Sequence, residues 1–185
     1  LCSDCQEWLT PPDPAVRCRH CFVEMESSAP LCHQCIKSPA LQAPRSILFD
    51  QSPVVNAWKA LLLQEDDSEF ARIAASLLIF QWGRLNWPLP DRIAIVPAKG
   101  KTRQLRFVAE TAAGMLDQPL SFEFGLEWVG FFEWRLKRIK DDLLEGKSLL
   151  LIDFEGEAFW LSQALAELWP AYPKEVYIIS LFSEK

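Results

Sequence analysis

Histidine is nearly absent from this chain, and cysteine is confined to one end of it. His20, His33 and all six cysteines fall before residue 36. The remainder can form no Ser-His-acid or Cys-His arrangement, which argues against protease-type nucleophilic catalysis. Glycine is scarce at 7 residues while proline reaches 13, so collagen-like and Gly-rich linker architectures are excluded. No apolar run approaches a bilayer span; the longest, Ile73 to Phe80 and broken only by Ser76, fills about two helical turns. This reading gives no membrane span and a cytoplasmic location. An excess of positive charge is also lacking. A net charge of -6 and a pI of about 5.0 make the chain a poor candidate for bulk nucleic-acid binding, which rests on neutralising phosphates. What is present is globular: 50% hydrophobic and 24% charged over 185 residues, enough for one domain or one domain plus a small module. Eight Trp and twelve Phe supply large core or partner-facing side chains. The sequence begins at Leu1 rather than Met, from which a segment upstream is expected.

The cysteines form three Cys-x-x-Cys pairs: Cys2/Cys5, Cys18/Cys21 and Cys32/Cys35. Each pair sets two thiolates in one tight turn, and two such turns complete a tetrahedral zinc site. The segment around them has few apolar anchors, so a metal or disulfides must replace a core. The x-x spacing suits metal knuckles better than bridges. Ten residues separate the second pair from the third, and twelve the first from the second, so either combination could close a ribbon. We favour Cys18, Cys21, Cys32 and Cys35 as the complete structural zinc site, with Cys2 and Cys5 as half of a second site completed upstream. His20 and His33, inside knuckles, are expected to point outward. Pro39 and Pro44 mark a linker, which divides the chain into a Cys-rich zinc ribbon over 1–45 and a larger domain over 46–185.

In the larger domain strands and helices alternate. Ser46–Asp50 reads as a strand, and Val54–Leu63 as a helix opened by Ser52-Pro53. A second helix, capped by Asp66, Asp67 or Ser68, presents Phe70, Ile73, Leu77 and Phe80 on one face. Arg92–Pro97 is a compact apolar strand; a basic loop with Lys99 and Lys101 follows, then a helix with Leu105, Ala109, Ala112 and Leu116 inward. Pro119–Phe124 alternates as a strand would. A long helix is expected over Glu127–Glu145, with Phe132, Leu136, Ile139 and Leu143 inward and Gly146 as its C-cap. Ser148–Asp153 is a strand, Ala158, Leu161, Leu165 and Leu168 share a helix face, and Val176–Phe182 is the last strand. Strands separated by helices predict an α/β fold, a mainly parallel sheet with helices on both faces. Ligands of such sheets sit beyond the strands' carboxyl ends, here after Val96 and after Asp153.

The order of these motifs is informative: CxxC knuckles, Trp58-Lys59, the run Asp91 to Pro97, a basic segment, and Leu149-Leu150-Leu151-Ile152-Asp153. It resembles the ComF family, which includes competence protein ComF and the GntX-type proteins. The resemblance spans essentially the whole chain and implies a zinc ribbon joined to a type I phosphoribosyltransferase-like domain. In the family the strand ending at Asp153 continues into a second acid and a Thr-Thr-Gly-x-Thr turn that holds phosphoribosyl pyrophosphate (PRPP). Here the run is Asp153-Phe154-Glu155-Gly156-Glu157-Ala158-Phe159-Trp160. Phe154 stands at the second acid and Phe159 near the close-approach glycine. A phosphate nest needs small residues and positive potential, so this turn reads as blocked by rings and made negative by Glu155 and Glu157. The degenerate ligand site would comprise Asp153, Glu155, Gly156, Glu157, Lys99, Lys101 and Arg103. The family's Gly-Phe-Asn-Gln tetrad survives only as Phe107, although Lys99, Lys101, Arg103 and Arg106 keep a basic cluster.

Three functions follow from this reading. The first is a non-catalytic scaffold acting in DNA uptake or processing through a competence helicase or ssDNA-handling protein, partners that the resemblance implies. The second is an active phosphoribosyltransferase or pyrophosphate-handling enzyme using Asp153 and Glu155, with Mg²⁺ on Asp153, Glu155 and Glu157. The third is nucleic-acid binding by the ribbon and by Arg135, Lys137, Arg138 and Lys140. Trp160 is placed at the expected ligand mouth.

Overall fold

The computed structural model describes residues 9–26, 29–37, 43–64, 68–97, 101–121, 124–128, 134–138 and 144–183. Cys2, Cys5, Lys99, Lys140 and the expected caps Asp66 and Asp67 lie outside the described residues. Five strands form one sheet: β1 (Arg45–Phe49), β2 (Arg92–Ile95), β3 (Leu120–Ser121), β6 (Ser148–Asp153) and β7 (Glu175–Phe182). Their spatial order is β1-β7-β6-β2-β3, and every neighbouring pair is parallel. The helices are α1 (His33–Lys37), α2 (Pro53–Gln64), α3 (Ser68–Leu85), α4 (Thr102–Leu116) and α5 (Ala158–Leu168).

Period-two alternation sorts the strand residues into two cores. Leu150 and Ile152 of β6, with Ile93, Ile95, Ile179 and Leu181, face α2, α3 and α4. Leu149 and Leu151, with Ala94, Val176 and Ile178, face α5. Both faces are covered, which is why these strands read as unbroken apolar runs. Local chemistry sets the ends: the Ser52 hydroxyl accepts from the Val55 N–H at 3.0 Å to cap α2. The Asp91 carboxylate accepts from the Ser148 N–H and hydroxyl at 2.8 and 2.9 Å, fastening the start of β6 to that of β2.

Two expectations need correction. The first is the long helix over Glu127–Glu145. Phe124–Trp128 (β4) and Trp134–Arg138 (β5) instead form an antiparallel hairpin. Alternation in Trp134-Arg135-Leu136-Lys137-Arg138 overrides the helical spacing, because Leu136 is fully buried against α5 while Arg135 and Lys137 are exposed. The Leu136 N–H donates to Gln163 Oε1 at 3.0 Å, and Arg135 pairs with Glu167 at 3.6 Å, docking the hairpin on α5. Arg135, Lys137 and Arg138 of the basic stretch therefore lie on a strand, and Gly146 (φ +71°) serves a turn before β6 rather than a helix end. The second is the inward face of α3, which centres on Ala71, Ala74, Ala75, Leu78 and Trp82; of the expected stripe Phe70 and Leu77 pack against the core while partly buried, and Phe80 is exposed. Alanines let the helix lie close to the sheet, which the bulkier Phe70-Ile73-Leu77-Phe80 stripe would not.

The Cys-rich segment packs against the larger unit. Leu9 joins the first core, Gln81 and Arg84 donate to the Pro12 and Pro11 carbonyls at 3.0 and 2.9 Å, and Arg17 pairs with Asp50 at 2.5 Å.

Candidate functional site

The helical crossover from β2 leads by α4 to β3, on one side, and that from β6 leads by α5 to β7, on the other. The carboxyl ends of β2 and β6 therefore flank the switch point where an open parallel sheet takes its ligand. Asp153, Glu155 and Lys101 meet there, as the sequence places them. What they do there differs from the expectation.

Asp153 is turned inward and only 3% exposed. Its carboxylate accepts from the Gly156 N–H, faces Ser180, its partner in register on β7, and feels the charge of Arg45. Burial pushes its pKa up to about 6, against the lowering pull of the Gly156 N–H and Arg45. Arg45, itself 9% exposed, sends Nη2 to the Gly156 carbonyl at 2.7 Å. The loop after β6 is thus closed from beneath by the first residue of β1.

Glu155 does not make the site negative, as the sequence suggested. Its two carboxylate oxygens pair separately, one with Lys59 of α2 and the other with Lys101. Burial raises its pKa, but the Lys101 and Lys59 contacts outweigh that and hold the carboxyl below its ordinary value. A carboxylate of the protein itself thus engages both cations.

The rings also fall elsewhere than expected. Phe154 is fully buried and packs on Phe182 with centroids 5.2 Å apart, with Lys59 and Lys101 over its face at 6.0 and 5.2 Å. Phe159 is 55% exposed and plugs nothing. Trp160 packs toward the second core rather than into the mouth. Glu157 precedes α5 without capping it through its side chain. Arg103 lies over the Phe107 ring at 5.9 Å. Arg45, Lys59 and Ser180 are the participants that spacing alone did not reveal; Lys59 was visible only as part of the Trp58-Lys59 motif. Among the described residues the acids gather into no metal-binding cluster, so the Mg²⁺ set of the enzymatic reading is not assembled.

Gly156 is a strict requirement of this loop. It adopts φ +72°, and a Cβ there would fall 1.8 Å from Arg45 Nη2 and 2.9 Å from Ser180 Oγ. Gly156→Ala is expected to destabilise by about 2–4 kcal/mol, combining a left-handed conformation with displacement of a buried guanidinium. Urea denaturation would measure it; a midpoint unchanged from wild type would contradict the closed loop.

The second constellation is the cysteine cluster. The Cys18, Cys21, Cys32 and Cys35 sulfurs all lie within 4.8 Å of one another, and all four are free thiols. Cys21 and Cys32 Sγ are 3.6 Å apart, close to the roughly 3.8 Å edge of a tetrahedron with Zn–S of about 2.3 Å. The Cys32 N–H points at Cys18 Sγ at 3.3 Å and the Cys35 N–H at Cys32 Sγ at 3.4 Å, so donors are in place to stabilise thiolates. Burial opposes ionisation of Cys18, but N–H groups of Cys21, Cys32 and His20 bring it down to about 6. Neither histidine joins the cluster. The donor set fits a metal ion of thiolate preference.

No family model matches the chain, and no curated protein matches it. Solved structures that match the chain include the purine phosphoribosyltransferase from Pyrococcus horikoshii Ot3, at 17% identity and TM-score 0.45, covering 60% of this chain and 81% of that one. A second is the hypoxanthine-guanine phosphoribosyl transferase of L. donovani, at 12% identity and TM-score 0.39, covering 66% of this chain and 71% of that one.

Proposed function

We propose that this chain is a ComF-like, non-catalytic scaffold whose sugar-phosphate site is closed by its own side chains, steadied by a structural zinc on Cys18, Cys21, Cys32 and Cys35. One observation carries the reading: Glu155 holds Lys59 and Lys101 while Asp153 faces the interior. A ribose diol needs an exposed carboxylate, which Asp153 is not, and a diphosphate needs unpaired cations, which Lys59 and Lys101 are not. The scaffold would act through protein partners, and the resemblance points to DNA uptake, with a competence helicase or ssDNA-handling protein. No helix among the described residues is long and apolar enough to cross a membrane. The enzymatic alternative would need Glu155 to release both lysines.

Calorimetry with Mg·PRPP tests the reading. No saturable heat is expected up to about 1 mM ligand, a concentration that would reveal binding as weak as about -4 kcal/mol. Micromolar binding would return the chain to the enzymes. Glu155→Gln supplies the complementary arm. It releases the lysine pair without changing side-chain size, so pyrophosphate affinity is expected to rise at least about tenfold over wild type, each regained charge-assisted contact contributing about 1.5–3 kcal/mol. Unchanged affinity would show that Glu155 does not occupy an anion position. The partner proposal is tested separately, by transformation frequency in a strain deleted for the chain and complemented with it.

A further inference from the structure

A cavity with charged walls lies away from the switch point. It measures about 630 Å³ and opens where the Cys-rich segment, the start of β1 and the end of α3 converge. Arg17, Arg19, Arg45 and Arg84 line it, with Asp13 the one acid in the lining. In a chain of net charge -6 this is a concentrated positive wall, and cavities of this volume hold small ligands.

Two of the arginines are fixed before any ligand arrives. Arg17 lies over the Phe22 ring at 5.4 Å and is held by Asp50 through both terminal nitrogens, at 3.3 and 2.5 Å. Its Nε is buried and has no hydrogen-bond partner. Arg84 donates to the Pro11 carbonyl at 2.9 Å and pairs with Asp13 at 3.1 Å. Arg19 is exposed, and its side chain has no partner among the described residues. Beside them Trp87 lies partly exposed, braced by Trp82 edge-on at 5.2 Å and by Tyr177 at 5.0 Å. A rigid aromatic next to preorganised guanidinium groups suits a ligand with one flat apolar end and one anionic end.

We propose that this cavity binds a small phosphorylated molecule bearing a planar ring, the chemistry of a nucleoside monophosphate, with the phosphate on Arg19 and the ring against Trp87. The cavity shares Arg45 with the Asp153 loop, whose Gly156 carbonyl that residue holds. Its test is titration of the full metal-loaded chain, followed by calorimetry, with AMP, adenosine and inorganic phosphate in parallel. AMP is expected to bind with a Kd below about 100 µM, at least about tenfold tighter than either fragment, because each fragment uses only half of the wall. Arg19→Glu, an exposed change that leaves the fold intact, should weaken AMP at least about tenfold, whereas Arg106→Glu on the outer face of α4 should leave it unchanged. Three results would overturn the proposal: AMP binding no tighter than phosphate, AMP affinity unaffected by Arg19→Glu, or binding of a 5′-phosphorylated oligonucleotide without AMP.

Discussion

Arg45→Met is expected to destabilise the protein by about 3–5 kcal/mol at pH 8 and by clearly less at pH 5. Arg45 is buried, donates to the Gly156 carbonyl at 2.7 Å and places its charge beside a carboxylate that is 3% exposed. Removing one member of a buried charged pair leaves the other uncompensated, and the stated range is the usual consequence. The pH dependence follows from Asp153. Its native pKa is pushed up to about 6 from an ordinary 3.8, so the folded state holds a proton that the unfolded chain has already lost between those values. Stability from this group is fully present below about pH 4, declines as pH rises, and is spent above about pH 6, a difference of about 3 kcal/mol in wild type. Without Arg45 the native pKa rises further. The penalty at pH 8 grows, and protonation at pH 5 relieves more of it. Arg45→Met/Asp153→Asn should recover much of the loss at pH 8, since an amide tolerates burial better than an unpaired carboxylate. Urea midpoints of the wild type, both single variants and the double variant at the two pH values decide it. Equal destabilisation at pH 5 and pH 8, with no rescue by Asp153→Asn, would show that the pair does not hold the loop.

This coupling could not be read from the sequence, although both of its members could be located. Asp153 ends a run of four apolar residues, and a strand leading into an acid is a local pattern. Its orientation is not local. Whether a carboxylate at a strand end faces solvent or interior depends on what lies beneath it, here an arginine 108 positions earlier, brought near by the β1–β7–β6 order. The same reason hid Lys59: its neighbour Glu155 comes from another crossover. Spacing recovered every strand of the parallel sheet to within a few residues, because strands buried on both faces advertise themselves by unbroken apolar runs. It failed on β4 and β5, where a short amphipathic hairpin carries apolar residues at positions that also fit a helix, and where docking on α5 decides the outcome. The four-cysteine cluster was legible because Cys-x-x-Cys is a local geometry that needs only one companion turn. The arginine-lined cavity was not, since Arg17 and Arg84 come from separate elements and meet only through tertiary packing.

Stripping the metal should unfold the Cys-rich segment while leaving the parallel sheet intact. Among the described residues of 9–37 only Leu9, Pro11, Cys18 and Phe22 are buried, and Leu9 belongs to the core of the larger unit. α1 is five residues long and buries none of them. Helices this short do not stand alone, and Phe22 adopts φ +63°, a left-handed conformation that costs a bulky residue about 1–2 kcal/mol. The cluster must offset these costs. Zinc bound to peptides of this ligand class supplies an apparent 10–16 kcal/mol or so, which is folding free energy when no site exists in the unfolded chain. Chelation, or Cys32→Ser, is therefore expected to take bound zinc from about one per chain to none and to open Arg17, Arg19 and Lys37 to trypsin, with re-added zinc restoring protection only in the wild type. Hydrogen exchange separates local from global loss: amides of β6 and β7 should keep their protection, because their partners in the sheet and both helical layers remain. The end of α3 should loosen, since Gln81 and Arg84 lose the Pro11 and Pro12 carbonyls to which they donate. The cavity wall formed by Arg17 and Arg84 then disperses, so AMP binding there should disappear with the zinc while denaturation of the sheet moves little. A chelated protein that kept its tryptic protection would show that packing against the larger unit, rather than the metal, holds the segment.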